Sequence, residues 1–244
     1  MPFRESKRLP RRELLATLGA GFGAALSACA SSSPTAASTV TNTGTTGGTG
    51  SSCAITPSET EGPYPDKTGM LNNPAFFRRD VTEGRPGLPV TLTLTIVNVN
   101  SGCSPVSNAS VEIWQCDASG NYSEYSQPGY DGTGKTFLRG LQTSDANGQV
   151  TFTTIYPGWY AGRATHIHVE VFRGSSLVKT TQIAFPEDVT RAVYATGVYA
   201  SKGQSSTTNG GDNVFSDGTQ YEMAALSGDT TSGYTATLTI GISG

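Results

Sequence analysis

From residue 53 onward, apolar and polar positions alternate in short runs. Val90–Val99 (VTLTLTIVNV) and Tyr234–Ile242 (YTATLTIGI) place apolar side chains at every second position over much of their length. That is the period of a strand with one buried face. Val111–Trp114, Gln149–Ile155, His166–Phe172 and Lys179–Phe185 are further short segments rich in β-branched residues. Turn-forming clusters separate these runs: Asn100-Ser101-Gly102, Asp117-Ala118-Ser119-Gly120, Asp145-Ala146-Asn147-Gly148 and Arg173-Gly174-Ser175. Asn147-Gly148 signals a hairpin, because both residues tolerate the positive φ that a tight two-residue turn demands. A helical period is hard to find, and only Pro186–Tyr194 has room for one short turn. The pattern predicts an all-β domain: an antiparallel β-sandwich with long loops around its active site and little helix.

Residues 1–29 are patterned differently. Arg4, Lys7, Arg8, Arg11 and Arg12 precede an apolar run, Leu14–Ala28, of about 15 residues, shorter than the roughly 20 a bilayer-spanning helix needs. Arg11-Arg12-Glu13-Leu14-Leu15 resembles a twin-arginine export signal, and Leu26-Ser27-Ala28-Cys29 resembles a lipobox with Cys29 as the lipidated residue. Residues 30–52 are Ser, Thr, Ala and Gly with little to bury, so they read as a disordered tether. The expected organisation is a signal over 1–29, a tether over 30–52 and one folded domain over 53–244. The protein is expected to be exported to the cell envelope or the extracellular face, held to the membrane only through a lipid at Cys29.

Composition narrows the partners. Charged residues are 14% of the chain and the net charge is −3, with no basic stripe for nucleic acid. Of four cysteines, Cys29 belongs to the signal. Cys53, Cys103 and Cys116 allow three pairings for one disulfide in an oxidising compartment.

The two histidines of the chain stand as His166-Ile167-His168. On a strand, residues i and i+2 share a face, so two imidazoles would project together as metal ligands. With no third histidine and no CxxC, the remaining ligands must be oxygen donors. Glu61 and Glu170 are carboxylate candidates for a zinc or Fe(II) site, and Glu170 shares the strand face of His168. Tyr122 and Tyr160 are phenolate candidates, and a phenolate favours a hard, highly charged ion such as Fe(III). Spacing alone does not single these two out of ten tyrosines.

Val111-Glu112-Ile113, followed after six intervening residues by Gly120-Asn121-Tyr122, resembles the signature of the intradiol ring-cleavage dioxygenases, the catechol 1,2- and protocatechuate 3,4-dioxygenase group. So does Pro157-Gly158-Trp159-Tyr160 followed by Arg163-Ala164-Thr165-His166-Ile167-His168. Thr56-Pro57 with Thr60-Glu61-Gly62-Pro63-Tyr64 resembles the segment leading into that family's catalytic domain, and Thr180-Thr181-Gln182-Ile183 sits where the family places an active-site glutamine.

The resemblance implies one Fe(III) per chain, with Tyr122 as equatorial and Tyr160 as axial phenolate and His166 and His168 as nitrogen ligands. It implies a catechol-type substrate and O2, with the ring opened between the hydroxylated carbons to a muconic acid. Tyr160 would take a catechol proton, Arg163 would stabilise negative charge developing on the ring, and Gln182 would hydrogen-bond near the substrate. Two departures mark the exported branch of the family. Only five residues separate Tyr160 from His166, and no long helical dimerisation region precedes the domain. Oligomeric state is left open. The competing expectation is an envelope-tethered β-sandwich that binds without catalysis.

Overall fold

The computed structural model describes residues 54–244, so the signal, the tether, Cys29 and Cys53 lie outside the described residues. In chain order the elements are β1 (Pro89–Asn98), β2 (Ser104–Pro105), β3 (Ala109–Trp114), β4 (Ser126–Gln127), β5 (Tyr130–Asp131), β6 (Arg139–Thr143), β7 (Gln149–Ile155), β8 (His166–Arg173), β9 (Ser176–Ala184), α1 (Glu187–Tyr194), β10 (Ala225–Asp229) and β11 (Gly233–Ile242). Two sheets face each other. One has the order β10-β11-β1-β2 with β7 also paired to β1, and the other runs β6-β3-β8-β9.

The alternation read from β1 is the burial observed. Val90, Leu92, Leu94 and Ile96 are buried and the intervening threonines are half-exposed. These side chains meet Val111, Ile113, Ile167, Val169 and Val171 of the second sheet in one continuous core. The all-β sandwich therefore stands, and the one α-helix among the described residues lies within the Pro186–Tyr194 window. Pro186 occupies its N-cap, and Glu187 and Asp188 fill its first turn, where acidic side chains complement the helix dipole.

Three local features differ from the sequence expectation. β1 and β11 pair in parallel over nine positions, from Val90↔Tyr234 to Asn98↔Ile242. Alternation defines which side of a strand is buried and carries no information on strand direction, so the parallel pairing was not foreseeable. Second, the turn at Asn147-Gly148 forms, with Gly148 at φ 73° and its amide bonded to the Asp145 carbonyl. It joins β6 of one sheet to β7 of the other rather than closing a hairpin within one sheet. Turn geometry is local, whereas sheet membership is decided by which face each strand buries. Third, Arg139–Thr143 and Ala225–Asp229 are strands without an alternating signal. In β6 the buried Arg139 replaces an apolar residue, and β10 is an exposed edge. Cys103 is disulfide-bonded, and Cys116 is the free, buried thiol. Pairings that use Cys116 are thereby eliminated.

The strands of the second sheet are buried on both faces. β8 turns Ile167, Val169 and Val171 into the core and His166, His168 and Glu170 outward, yet all six are buried. Part of the outer cover is the segment before β1. Glu59 N donates to Thr180 O of β9 at 3.0 Å, Arg139 of β6 donates to Tyr64 O at 3.0 Å, and Met70 and Phe76 pack on Leu141.

Leu92, opposite Phe152 of β7 and Ala236 of β11, is fully buried. Leu92→Ala is expected to cost about 2–5 kcal/mol in urea unfolding, while Thr93→Ala on the outward face costs less than about 1 kcal/mol. Equal losses would contradict this orientation of β1.

Candidate metal centre

A row of side chains crosses the outer face of the second sheet. Arg139 lies opposite Trp114, Trp114 opposite His168, and His168 opposite Gln182. The Trp114 indole stacks on the His168 ring, with centroids 4.7 Å apart and planes 1° from parallel, which holds that imidazole in one orientation. His166 is held differently. Its Nδ1 lies 2.7 Å from the Ala164 carbonyl, so Nδ1 carries the proton and Nε2 presents its lone pair. The two Nε2 atoms converge to 3.1 Å with rings nearly perpendicular.

Two loops bring in the tyrosines. Tyr122 is fully buried, its hydroxyl is 3.3 Å from His166 Nε2, and its ring stacks on Tyr64 at 4.6 Å. Tyr160 is half-buried, with ring centroids 5.7 Å from both Tyr122 and His166. Arg163 reaches both centres. Its Nη1 is 3.4 Å from Tyr160 Oη and 3.4 Å from His166 Nε2. Its Nη2 donates to Gln182 Oε1 at 2.5 Å, and Nε donates to both Asp212 oxygens at 2.8 and 3.0 Å. Gln182 in turn donates from Nε2 to Thr60 O at 2.8 Å. All six side chains singled out in the sequence are therefore gathered in one place.

Burial keeps both imidazoles neutral, which is the form a metal takes. His166 is lowered to about 3, mainly by desolvation and then by the Arg163 charge, and His168 falls well below its usual range for the same first reason and then through His166. Desolvation also holds the Tyr122 phenol well above its usual range and pushes Tyr160 up to about 12, against the lowering influence of Arg163. A bound cation reverses that balance for the phenols. Two neutral nitrogen donors and two phenol oxygens, crowded together with no carboxylate among them, suit a hard and highly charged ion. The alternative using Glu61 or Glu170 does not form. Glu61 is exposed, Glu170 accepts from Thr180 Oγ1 at 3.0 Å, and among the described residues no acidic group clusters with the two imidazoles.

A sequence profile of the family described as "Dioxygenase" matches residues 60–205, the stretch that contains every one of these six side chains. The chain belongs to the intradiol ring-cleavage dioxygenase family. It is similar to the protocatechuate 3,4-dioxygenase beta chain of Burkholderia cepacia, 36% identical over 119 residues, a match covering 44% of this chain and 49% of that one. The match thus spans about half the length of that relative. Among solved structures it is similar to an intradiol ring-cleavage dioxygenase from Tetranychus urticae, with 28% identity, a TM-score of 0.71, and coverage of 78% of this chain and 95% of that one. The dioxygenase domain of a dioxygenase carbohydrate-binding protein fusion from Streptomyces sp. SirexAA-E gives 26% identity, a TM-score of 0.56, and coverage of 78% and 99%.

Sequence reading missed the residues that hold this family's constellation in place here. Asp212 is 2% exposed and also accepts the Ala164 and Val214 amides at 2.7 and 2.9 Å. Arg139 is fully buried; it donates to Ser123 Oγ at 3.0 Å and Ser123 O at 3.1 Å, immediately after Tyr122. Neither residue sits in a periodic pattern, so nothing local marks it. Trp114 did carry a signal: it lies on the non-core face of β3, where a solvent-facing strand would be small or hydrophilic. Two glycines complete the frame. A Cβ on Gly158 would overlap the Asp117 carbonyl oxygen, and one on Gly120 would overlap the Trp159 carbonyl oxygen. The loops bearing Tyr122 and Tyr160 therefore touch backbone to backbone, and only glycine permits that approach.

Gly158→Ala is expected to lower stability by about 1–3 kcal/mol and to reduce bound metal per chain, read by denaturant titration and metal analysis. Retention of both would contradict the backbone contact. Glu112 offers a pH test. Burial first, then Asp66 and Glu170, raise its carboxyl from 4.5 to about 8. The folded state then keeps a proton that the unfolded chain releases above 4.5, so this group lowers stability as pH rises from about 4.5 to 8. Glu112→Gln is expected to match the parent near pH 4.5 and to become progressively more stable than it toward pH 8. A constant difference across that range would contradict the protonated carboxyl.

Proposed function

We propose that the chain is a non-haem Fe(III) intradiol dioxygenase that inserts both atoms of O2 into a catechol-type aromatic and opens the ring between the two hydroxylated carbons. The product is a muconic acid. All atoms come from the catechol and O2, so no external reductant is required. The observation that carries this reading is the convergence of His166 Nε2, His168 Nε2 and the Tyr122 hydroxyl, with Tyr160 beside them, on the outer face of β8.

These four residues would hold one ferric ion, which when bound would supply a Lewis acid that lowers the pKa of its ligands and of the diol. The protein does the rest by position. Tyr122 is immobilised by the Tyr64 stack and full burial, whereas Tyr160 is half-buried. Tyr160 is thus the phenol oxygen free to move aside and accept a proton from a diol hydroxyl at its Oη. Arg163 is aimed by Asp212 and Gln182 at the space between Tyr160 and His166, where its charge stabilises the negative charge that develops on the ring. Trp114 and Tyr64 cover His168 and Tyr122 and keep water from them. Fixed donors of this kind act without reorganising during the reaction, which is where most of their catalytic benefit lies.

The proposed location rests on sequence alone. The twin-arginine-like segment and Cys29 support an exported, lipid-anchored enzyme, with a route that suits a protein loading its metal before export. Among the described residues, no helix is long and apolar enough to cross a membrane.

The iron-loaded protein is expected to be wine-red from phenolate-to-iron charge transfer, to bleach with dithionite and to convert catechol under O2 to a product absorbing in the ultraviolet as a muconate. Tyr160→Phe is expected to shift the visible band and slow turnover. A colourless iron-loaded protein would overturn the reading. An unchanged spectrum in Tyr160→Phe would remove Tyr160 from the ligand set.

A further inference from the structure

Along β9, the edge strand of the second sheet, three carboxylates meet away from the histidines. Glu59 lies in the segment before β1, Asp217 in the loop that follows Asp212, and Glu222 just before β10. One oxygen from each lies within 4.8 Å of the others. Glu222 is fully buried. Its Oε1 accepts from Thr181 Oγ1 of β9 at 2.8 Å, and its Oε2 is buried with no hydrogen-bond partner among the described residues. A buried carboxylate oxygen left without a donor is costly, and its neighbours here are two further acids. Among the described residues no cation pairs with any of the three. Lys179 is committed elsewhere, its Nζ donating to Thr56 O at 2.7 Å and Ser58 Oγ at 2.9 Å. Arg163 is committed to Asp212 and Gln182. A surface cleft of about 460 Å³, lined by Glu59, Thr60, Asn213, Ser216 and Asp217 among others, reaches two of the three acids.

We propose that Glu59, Asp217 and Glu222 form a binding site for a calcium-type divalent cation that fastens the segment before β1 to the loop carrying Asp212. Three oxygens within 4.8 Å suit one such ion, because Ca²⁺–O bonds of about 2.3–2.6 Å allow ligand oxygens up to roughly 5 Å apart. The all-oxygen donor set disfavours zinc and copper, which prefer nitrogen and sulfur. Magnesium sheds its water reluctantly and rarely occupies an all-protein cage. The cleft leaves room for the waters that complete the coordination shell. Burial first, and Asp217 next, raise Glu59 to about 7, against the lowering influence of Arg163 and Lys179; burial raises Glu222 to about 8, with Glu59 and Asp217 adding to it and the Thr181 hydrogen bond opposing it. The three acids thus repel one another in the absence of a cation, and binding releases protons.

The site is placed to matter for the metal centre without being part of it. Glu59 precedes Thr60, whose carbonyl accepts from Gln182, and Asp217 shares a loop with Asp212, the partner of Arg163. A cation here would tether both supports of the Arg163–Gln182 pair. The proposal stands independently of the ring-cleavage reading, since its readout is binding and stability.

The test uses the iron-loaded full chain, dialysed against EGTA and titrated with CaCl2 by calorimetry and thermal unfolding. The expected result is one saturable site and a rise in Tm of about 5 °C at a hundredfold excess over Kd, with the visible band unchanged. Asp217→Asn, on an exposed position, and Glu222→Gln are each expected to weaken binding at least about tenfold and to remove most of the Tm rise. No saturable binding, or parent-like binding by Asp217→Asn, would overturn the proposal. So would an equal response to MgCl2, or a change in the visible band that places calcium at the histidines.

Discussion

Everything at the centre depends on the two-residue repeat of β8. A strand that turns Ile167, Val169 and Val171 into the core must turn His166 and His168 the other way. The apolar residues thereby set the register of the imidazoles: a slip of one residue would bury both histidines in the sandwich and expose the core. The tautomer and ring plane are then set by one contact each, the Ala164 carbonyl for His166 and the Trp114 indole for His168. The nitrogens are oriented before any ion arrives, and this limits the entropy lost on binding.

The oxygen donors come from loops, where position is harder to hold. The solution is contact between the loops themselves. Gly120 and Gly158 let the Tyr122 and Tyr160 segments touch through their backbones, while Arg139 fastens the residue after Tyr122 and the Tyr64 carbonyl to the sheet. Arg163 is treated in the same way. A partly buried guanidinium close to neutral imidazoles is unfavourable unless paired, and Asp212 supplies the pairing while Gln182 sets its direction. The charge that would assist ring opening is thus held in place by Asp212 and Gln182. Tyr64 touches both phenols, stacking on the fully buried Tyr122 and meeting the half-buried Tyr160 edge-on.

How much of this was legible beforehand depended on whether a residue's signal was local. The strands of the core announced themselves by alternation, and β1 is buried as its TLTLT pattern demands. His166 and His168 were legible as a pair on one face, and their scarcity in the chain pointed to oxygen as the missing donor. Tyr122 and Tyr160 were legible only through ordered motifs around them, since spacing does not distinguish them from other tyrosines. Strand direction in β11, the change of sheet at Asn147-Gly148 and the partners Asp212 and Arg139 were not legible. Each depends on contacts between residues distant in sequence: Asp212 meets Arg163 across 49 positions, with no periodicity to connect them.

The central claim is that His166, His168, Tyr122 and Tyr160 hold one ferric ion. Diffraction from crystals of the iron-loaded protein, collected on both sides of the iron absorption edge, tests it most directly. A single iron-specific anomalous peak within bonding distance of His166 Nε2, His168 Nε2, Tyr122 Oη and Tyr160 Oη is the predicted result. A peak bound by carboxylates such as Glu170, or one that leaves both tyrosines unligated, would contradict it.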